Sequence, residues 1–229
     1  MLLRFDQLDS THDEARRQLR GGATAPFGVV CGEQVSGRGR LNRPWVSAPA
    51  AGVYLTSVHS LNSLPPNITM TPIVVGCGVA DWLNGLGLSV QLKWPNDLRV
   101  DRAKLGGILC EVVGNHLLIG VGINWSSAPT LDDQPTTFVE AHGASSSSLS
   151  DAQDQAYAAV TATISWWRGA GDERARTRWW ALAERQLVGV GDLLGEPIGL
   201  APSGALRLRT DTGAVHEVHA GDVLEVSSR

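Results

Sequence analysis

Lysine is almost missing from this chain: its 229 residues hold two, Lys93 and Lys104, against 17 arginines. There is no surplus of positive charge either. The formal net charge is −4, so nothing global argues for a long nucleic acid as partner, although a local basic loop can still hold a phosphate. Cysteine is scarce. Cys31, Cys77 and Cys110 are odd in number, show no CxxC spacing and lie in apolar stretches, so they read as reduced core thiols of a cytoplasmic protein. The longest apolar run, 73–80, contains two glycines and stops at Asp81, too short to span a bilayer. The N-terminus meets acidic residues at once and lacks the unbroken apolar core of a signal peptide. Neither a GxxxxGK[ST] phosphate loop nor a GxGxxG dinucleotide fingerprint occurs.

What is there fits an ordinary globular protein, with 43% apolar and 18% charged residues. Residues 12–20 read as a short helix capped by Ser10 or Thr11. Segment 27–35 is β-like, 53–58 has strand composition, and 67–86 carries a helical apolar face interrupted by glycines. From Ser89 to Asn124 the runs SVQLKW, DLRV, KLGGILCEVV and HLLIGVGINW read as a meander of strands, with Asn115 and His116 at a hairpin turn. Residues 126–150, including ASSSSLS, read as a loop or connector. Two helices are expected at 151–168 and 172–187. The last forty residues return to short β segments, around Ile198 and at 206–210, 215–219 and 223–226, between turn signals. A boundary near Leu187 separates an expected large domain, 1–187, from a small all-β one, 188–229.

Four segments could carry chemistry. In EQVSGRGRLNRPW, residues 33–45, Arg38, Arg40 and Arg43 crowd six positions on a glycine-rich backbone, and their forked guanidinium groups match phosphate or carboxylate oxygens. Trp45 could wall an apolar ligand or stack on a base. In KWPND, Pro95 fixes a turn from which Asn96 and Asp97 project, an amide and a carboxylate able to meet magnesium or accept a proton. In AKLGGILCE, Lys104 offers a compact ammonium suited to two anions being joined, and the following glycines let a ligand approach the strand. GVGIN ends a strand with small residues. Taken singly, each also reads as ordinary structure: a solvated basic turn, an Asx turn, a strand-end lysine, strand packing.

In order and separation, DST, GRGRxxRxW, KWPND, KLGGIL and GxGIN resemble the catalytic domain of bacterial biotin–protein ligases. The resemblance covers Leu8 to Asn124 by motif. It implies an α+β fold of the class II aminoacyl-tRNA-synthetase-like type: a mixed or antiparallel sheet with helices against one face, followed by a small SH3-like β-barrel. It implies a ligase that converts biotin and MgATP to biotinyl-5′-adenylate, then transfers biotin to a lysine of a carboxylase's biotin carboxyl carrier domain. Ser10, Thr11 and Gln34 would bond the ureido ring, with main-chain contacts from Gly37 and Arg38, and Trp45 would line the biotin tail beside Gly107, Leu109, Gly120 and Gly122. Arg38, Arg40, Arg43, Asn96 and Asn124 would face ATP or the adenylate. Lys104 would neutralise the biotin carboxylate and the α-phosphate, and Asp97 would serve the metal or accept a proton. No fixed metal site is implied beyond magnesium brought with ATP, and HxxH at His216 and His219 is not read as one. A monomer or homodimer without DNA or membrane partners is expected. Because DST begins at Asp9, the repressor domain of bifunctional relatives is not expected before it.

This chain departs from the family pattern at three places. His12 stands where Ser-Thr-Asn is common, Asn42 replaces a usual glycine, and no aromatic near PTTFVEAHG matches an adenine-stacking tryptophan. Asn42 is expected to supply left-handed backbone tolerance. Two rivals are disfavoured: a lipoate ligase or octanoyltransferase of the same fold, whose own glycine-rich signature and histidine pattern are missing, and a nucleotide- or RNA-binding module built on the arginine loop, against which the acidic net charge and the lack of a basic, aromatic-rich face speak.

Overall fold

A computed structural model of the chain describes residues 1–144, 148–219, 221 and 224–225. At one edge of its main sheet, β1 (Leu2–Leu8) and β2 (Phe27–Gln34) run parallel, joined by helix α1 (Thr11–Arg20). Ser10 caps α1, its Oγ accepting from the His12 N–H at 3.2 Å. Acidic Asp13 and Glu14 open the helix and basic Arg17 and Arg20 close it, as the helix dipole favours. β1 has no counterpart in the sequence reading, because an edge strand with polar Arg4, Asp6 and Gln7 shows no continuous apolar face.

Every other pairing in this sheet is antiparallel. β2 pairs with β3 (Gly52–Ser60), and β3 with β7 (His116–Asn124). β6 (Ala103–Val113), β5 (Asp97–Val100) and β4 (Gln91–Lys93) follow, completing the order β1-β2-β3-β7-β6-β5-β4. The hairpin between β6 and β7 turns at Gly114 and Asn115, so His116 opens a strand instead of sitting in the turn.

Alternation along the strands sorts side chains to two faces. On β7, Leu117, Ile119, Val121 and Ile123 join one large buried cluster, whereas Leu118 joins a smaller one with Ala15 of α1. α2 (Thr71–Gly85) and α3 (Leu149–Leu182) cover the large-cluster face. α1 covers the other, so the helices are not confined to one face as expected.

The glycines that weaken the pattern of α2 serve packing. A Cβ on Gly78 would lie 1.7 Å from Thr163 Oγ1 of α3, an approach only glycine allows. α3 breaks at Gly171, whose φ of 79° separates the two helical segments expected there. The second segment stops at Leu182 because Ala183 bridges Leu92, and the Glu184 N–H donates to the Leu92 carbonyl at 3.0 Å.

The C-terminal sheet comprises β8 (Val188–Val190), β9 (Leu193–Leu200), β10 (Leu206–Arg209), β11 (Val215–Val218) and β12 (Leu224–Glu225). Its order is β11-β10-β9-β8-β12, antiparallel throughout. Among the described residues β11 and β12 stand at opposite edges, so the sheet is open where a barrel was expected. Val188, Leu206 and Leu208 share the large buried cluster with Trp179, and the Trp94 indole N–H donates to the Gly204 carbonyl at 3.0 Å. Ser145 to Ser147 of the expected loop, and Val223 and Val226 of the last β segment, lie outside the described residues. No helix among the described residues is long and apolar enough to cross a membrane.

Candidate active site

Gly107 pairs with Gly122 and Leu109 with Gly120 across β6 and β7. Two-residue spacing puts all four on the α1 side of the sheet, where α1 stops short of covering them. Over this floor lies a cavity of about 400 Å³, walled by α1, the end of β2, the arginine segment and the start of β5.

One end is neutral and hydrogen-bonded. The Thr11 N–H and hydroxyl both donate to Gln34 Oε1, at 2.9 and 3.1 Å, and behind them Thr56 Oγ1 lies 2.8 Å from Thr11 Oγ1. His12 is buried beside them, its Nδ1 2.9 Å from Thr56 Oγ1. Its ring lies so close on β7 that a Cβ on Gly120 would come within 2.4 Å of its Cε1. Burial pulls the imidazole pKa down to about 4, since charging it there would cost hydration.

Trp45 occupies the middle. A Cβ on Gly122 would sit 2.6 Å from its ring, and one on Gly107 3.7 Å from it. The glycines expected to leave room for a ligand chain thus also make room for this chain's own His12 and Trp45. Gly37 carries that tryptophan. Its carbonyl accepts the Trp45 N–H at 2.9 Å, and a Cβ there would meet the Trp45 carbonyl at 2.5 Å. Gly37 is buried and, unlike the other expected site residues, does not line the cavity.

The far end is charged. Lys104 Nζ pairs with Asp97 Oδ1 at 3.0 Å and stands 6.0 Å from the Trp45 ring centroid, within cation–π range. Arg40 donates to Asn96 Oδ1 at 3.1 Å. Asn96 is itself held by its amide donating to the Ile108 carbonyl at 2.9 Å, and Arg43 also lines this end. Arg38 turns the other way, pairing with Asp13 at 2.5 Å. Within the arginine segment Leu41 takes the left-handed conformation, at φ 54°.

Ser10, Thr11, Gln34, Arg38, Arg40, Arg43, Trp45, Asn96, Asp97, Lys104, Gly107, Leu109, Gly120, Gly122 and Asn124 therefore surround one cavity, although they come from five separate stretches of sequence. Thr56 escaped sequence reading, since one threonine in an apolar strand carries no signal. So did the wall made by Pro129, Leu131, Asp133, Gln134 and Thr136, in a segment read as connector. That segment adds to the sheet at Lys104, whose N–H donates to the Pro135 carbonyl at 2.8 Å and whose carbonyl accepts from Thr137 at 2.9 Å.

Residues 5–126 match the model of the Biotin/lipoate A/B protein ligase family, a span of more than half the chain that includes most of this cavity. The chain belongs to that family. Among curated family members it is 28% identical to the biotin–[acetyl-CoA-carboxylase] ligase of Mycobacterium tuberculosis, over 96% of this chain and 87% of that protein. It is 39% identical to the bifunctional ligase/repressor BirA of Escherichia coli, over 40% of this chain. The chain spans less than half the length of the BirA proteins it matches, 30% in Escherichia coli and 47% in Bacillus subtilis. Its fold is that of the biotin protein ligase from Aquifex aeolicus solved with biotin and ATP, at TM-score 0.81 and 23% identity over 99% of both chains.

Proposed function

We propose that this protein is a biotin–protein ligase, activating biotin with MgATP to biotinyl-5′-adenylate and transferring biotin to a carrier-domain lysine. The observation that carries this reading is the polarity of the cavity, with neutral hydrogen-bonding groups at one end, an indole across the middle and cations at the other. Biotin has the same sequence of parts: an uncharged cyclic urea, an aliphatic tail and a carboxylate. A volume of about 400 Å³ lies within the usual range for small-molecule sites. The names of the relatives and the ligands of the Aquifex aeolicus structure support the same substrates.

In the first step a biotin carboxylate oxygen attacks the α-phosphorus of ATP, and the bond to pyrophosphate breaks. Both reactants are anionic, so their approach needs positive charge already in place. Lys104 supplies it where carboxylate and phosphate meet, held by Asp97 on the neighbouring strand. Arg40 and Arg43 hold phosphate oxygens, and Asn96 keeps Arg40 aimed. Ser10, Thr11 and Gln34 bind the urea, while Trp45 and Leu109 exclude water from the tail and the mixed anhydride. In the second step the carrier lysine's amine attacks the acyl carbon, AMP leaves, and the amine sheds a proton.

Among the described residues no three acidic, histidine or cysteine side chains gather as a metal cage. Asp97 beside Asn96 fits magnesium, a cation that keeps waters and phosphates as its other ligands and supplies charge neutralisation when it arrives with ATP. The carrier domain of acetyl-CoA carboxylase or a related carboxylase is the protein substrate, and the site of action is the cytoplasm. The domain division stands at residue 187, where the catalytic α+β part gives way to the C-terminal sheet. Pyrophosphate release measured with biotin and, in parallel, with lipoate tests the assignment. Biotin-dependent release followed by labelling of a carrier domain is expected; turnover with lipoate alone would overturn it.

A further inference from the structure

The hydrogen-bond chain behind the neutral end of the cavity has one consistent direction. The Thr11 main-chain N–H can only donate, so its 2.9 Å contact fixes the oxygen of the Gln34 amide toward α1 and leaves the NH2 group on the other side. That oxygen also lies 3.1 Å from Thr11 Oγ1. A carbonyl oxygen only accepts, so the Thr11 hydroxyl spends its single proton there. Thr11 Oγ1 then meets Thr56 Oγ1, 2.8 Å away, as an acceptor, which uses the Thr56 proton. Thr56 Oγ1 can meet His12 Nδ1, 2.9 Å further on, only as an acceptor in turn. The histidine proton is therefore on Nδ1. Burial keeps the ring neutral at ordinary pH, and Nε2 is a buried lone pair with no hydrogen-bond partner among the described residues.

We propose that His12, acting through Thr56, is the positioning residue that sets this proton direction, so that Ser10 and Gln34 face the ligand as donors and the site selects a cyclic urea over a dithiolane. The selectivity rests on the function proposed above; the proton direction does not. Ser10 Oγ already accepts the His12 N–H, which leaves its own proton for the cavity, and the Gln34 NH2 group, on the side away from α1, donates one proton to Ser47 Oγ at 3.4 Å and keeps its second for the ligand. A urea carbonyl accepts from both. The disulfide ring of lipoate offers no comparable acceptor, and buried donors left unpaired reject a ligand by several orders of magnitude. With the proton on Nε2 instead, Nδ1 would compete for the Thr56 proton. Either Thr11 or Gln34 would then face a lone pair with a lone pair.

Nitrogen NMR of the full chain with labelled histidine reads the tautomer directly, because protonated and bare ring nitrogens resonate far apart. The chain has six histidines, and His12 is the one lost in His12→Asn. In wild type, a protonated Nδ1 and a bare Nε2 are expected, unchanged from about pH 7 to about pH 5. A proton on Nε2, or a charged ring in that interval, overturns the proposal. This measurement requires only the wild-type protein to be folded, beyond assignment. In kinetics, Thr56→Val should raise the KM for biotin about tenfold or more and change kcat by less than about threefold. His12→Asn, whose amide N–H can replace Nδ1–H, should stay within about threefold of wild type, while His12→Leu should resemble Thr56→Val. Equal losses for His12→Asn and His12→Leu would show that only ring packing matters and sink the relay. Turnover with lipoate alone overturns the biotin reading whichever tautomer is found, so the two failures are separable.

Discussion

Lys104 Nζ and Asp97 Oδ1 face each other at 3.0 Å from adjacent antiparallel strands, each about four-fifths buried, with the ammonium 6.0 Å from the Trp45 ring centroid. The pairing of β5 with β6, which sets Asp97 opposite Gly107 and Lys104 opposite Arg99 across a register shift, brings them together. Before any substrate binds, the cation is thus held in place by a partner that phosphate or carboxylate oxygens can join. Lys104→Ala should lower biotin-dependent pyrophosphate release by about 100-fold or more, the scale for losing one preorganised charge at a developing anion. Near-normal release would remove Lys104 from the chemistry.

Asp13 Oδ1 lies 2.5 Å from a nitrogen of Arg16 and 2.5 Å from one of Arg38, so it ties the arginine segment to α1. Both links are between a fifth and two-fifths exposed, and such pairs stabilise a fold by less than about 1 kcal/mol. Asp13→Asn should therefore leave the melting temperature nearly unchanged. It should nevertheless speed tryptic cleavage after Arg38 or Arg40, and biotin with ATP should restore protection. Identical digestion rates for variant and wild type would show that Asp13 does not restrain the segment.

Gly78→Ala sets two effects against each other. Alanine favours a helix over glycine by about 1 kcal/mol. The added methyl, however, would fall 1.7 Å from Thr163 Oγ1 and force α2 and α3 apart, at about 1–3 kcal/mol or more. Net destabilisation is expected in a urea titration. The double variant Gly78→Ala, Thr163→Ala should recover most of it. A single variant more stable than wild type would mean the helices part freely.

His12 and His59 are both pulled from 6.5 to about 4, in each case by burial. Above pH 6.5 neither folded nor unfolded chain protonates them, so their contribution to stability is full there. As pH falls from 6.5 to about 4 the unfolded chain takes up protons that the folded chain refuses. Stability is lost, by up to about 3 kcal/mol per histidine. Urea midpoints of wild type and His59→Asn compared across this interval should converge as pH falls. Parallel curves would show that His59 titrates normally.

Much of the fold was legible because it depends on local pattern. The strands from β4 to β7 announced themselves by β-branched runs between turn residues, and the break at Gly171 separates the two helices where composition placed it. β1 was not legible, nor was the extra edge contributed by residues 135–137, because strands that gain their partners from distant sequence need no apolar alternation of their own. The left-handed residue of the arginine segment shows the same limit. Leu41, a poor candidate by propensity, takes that conformation, since the bridge of Arg38 to Pro44 and the Gly39 N–H bond to Arg43 close the turn around it.

By itself the sequence determined which groups the site could contain: three arginines on a pliable backbone, one well-placed lysine, an amide beside a carboxylate, and small hydroxyl and amide side chains near the start. Those are properties of residue type and short spacing, which need no partner to exist. Only tertiary structure decided how the groups are used. Strand register joined Lys104 to Asp97. The crossing of α1 over the sheet put His12 on Gly120 and lined up Thr56, Thr11 and Gln34, and the return of Trp45 over Gly122 divided the cavity into a neutral and a cationic end. Hydrogen-bond direction and charge proximity depend on distances of a few ångströms between residues far apart in the chain, and only the folded chain sets those.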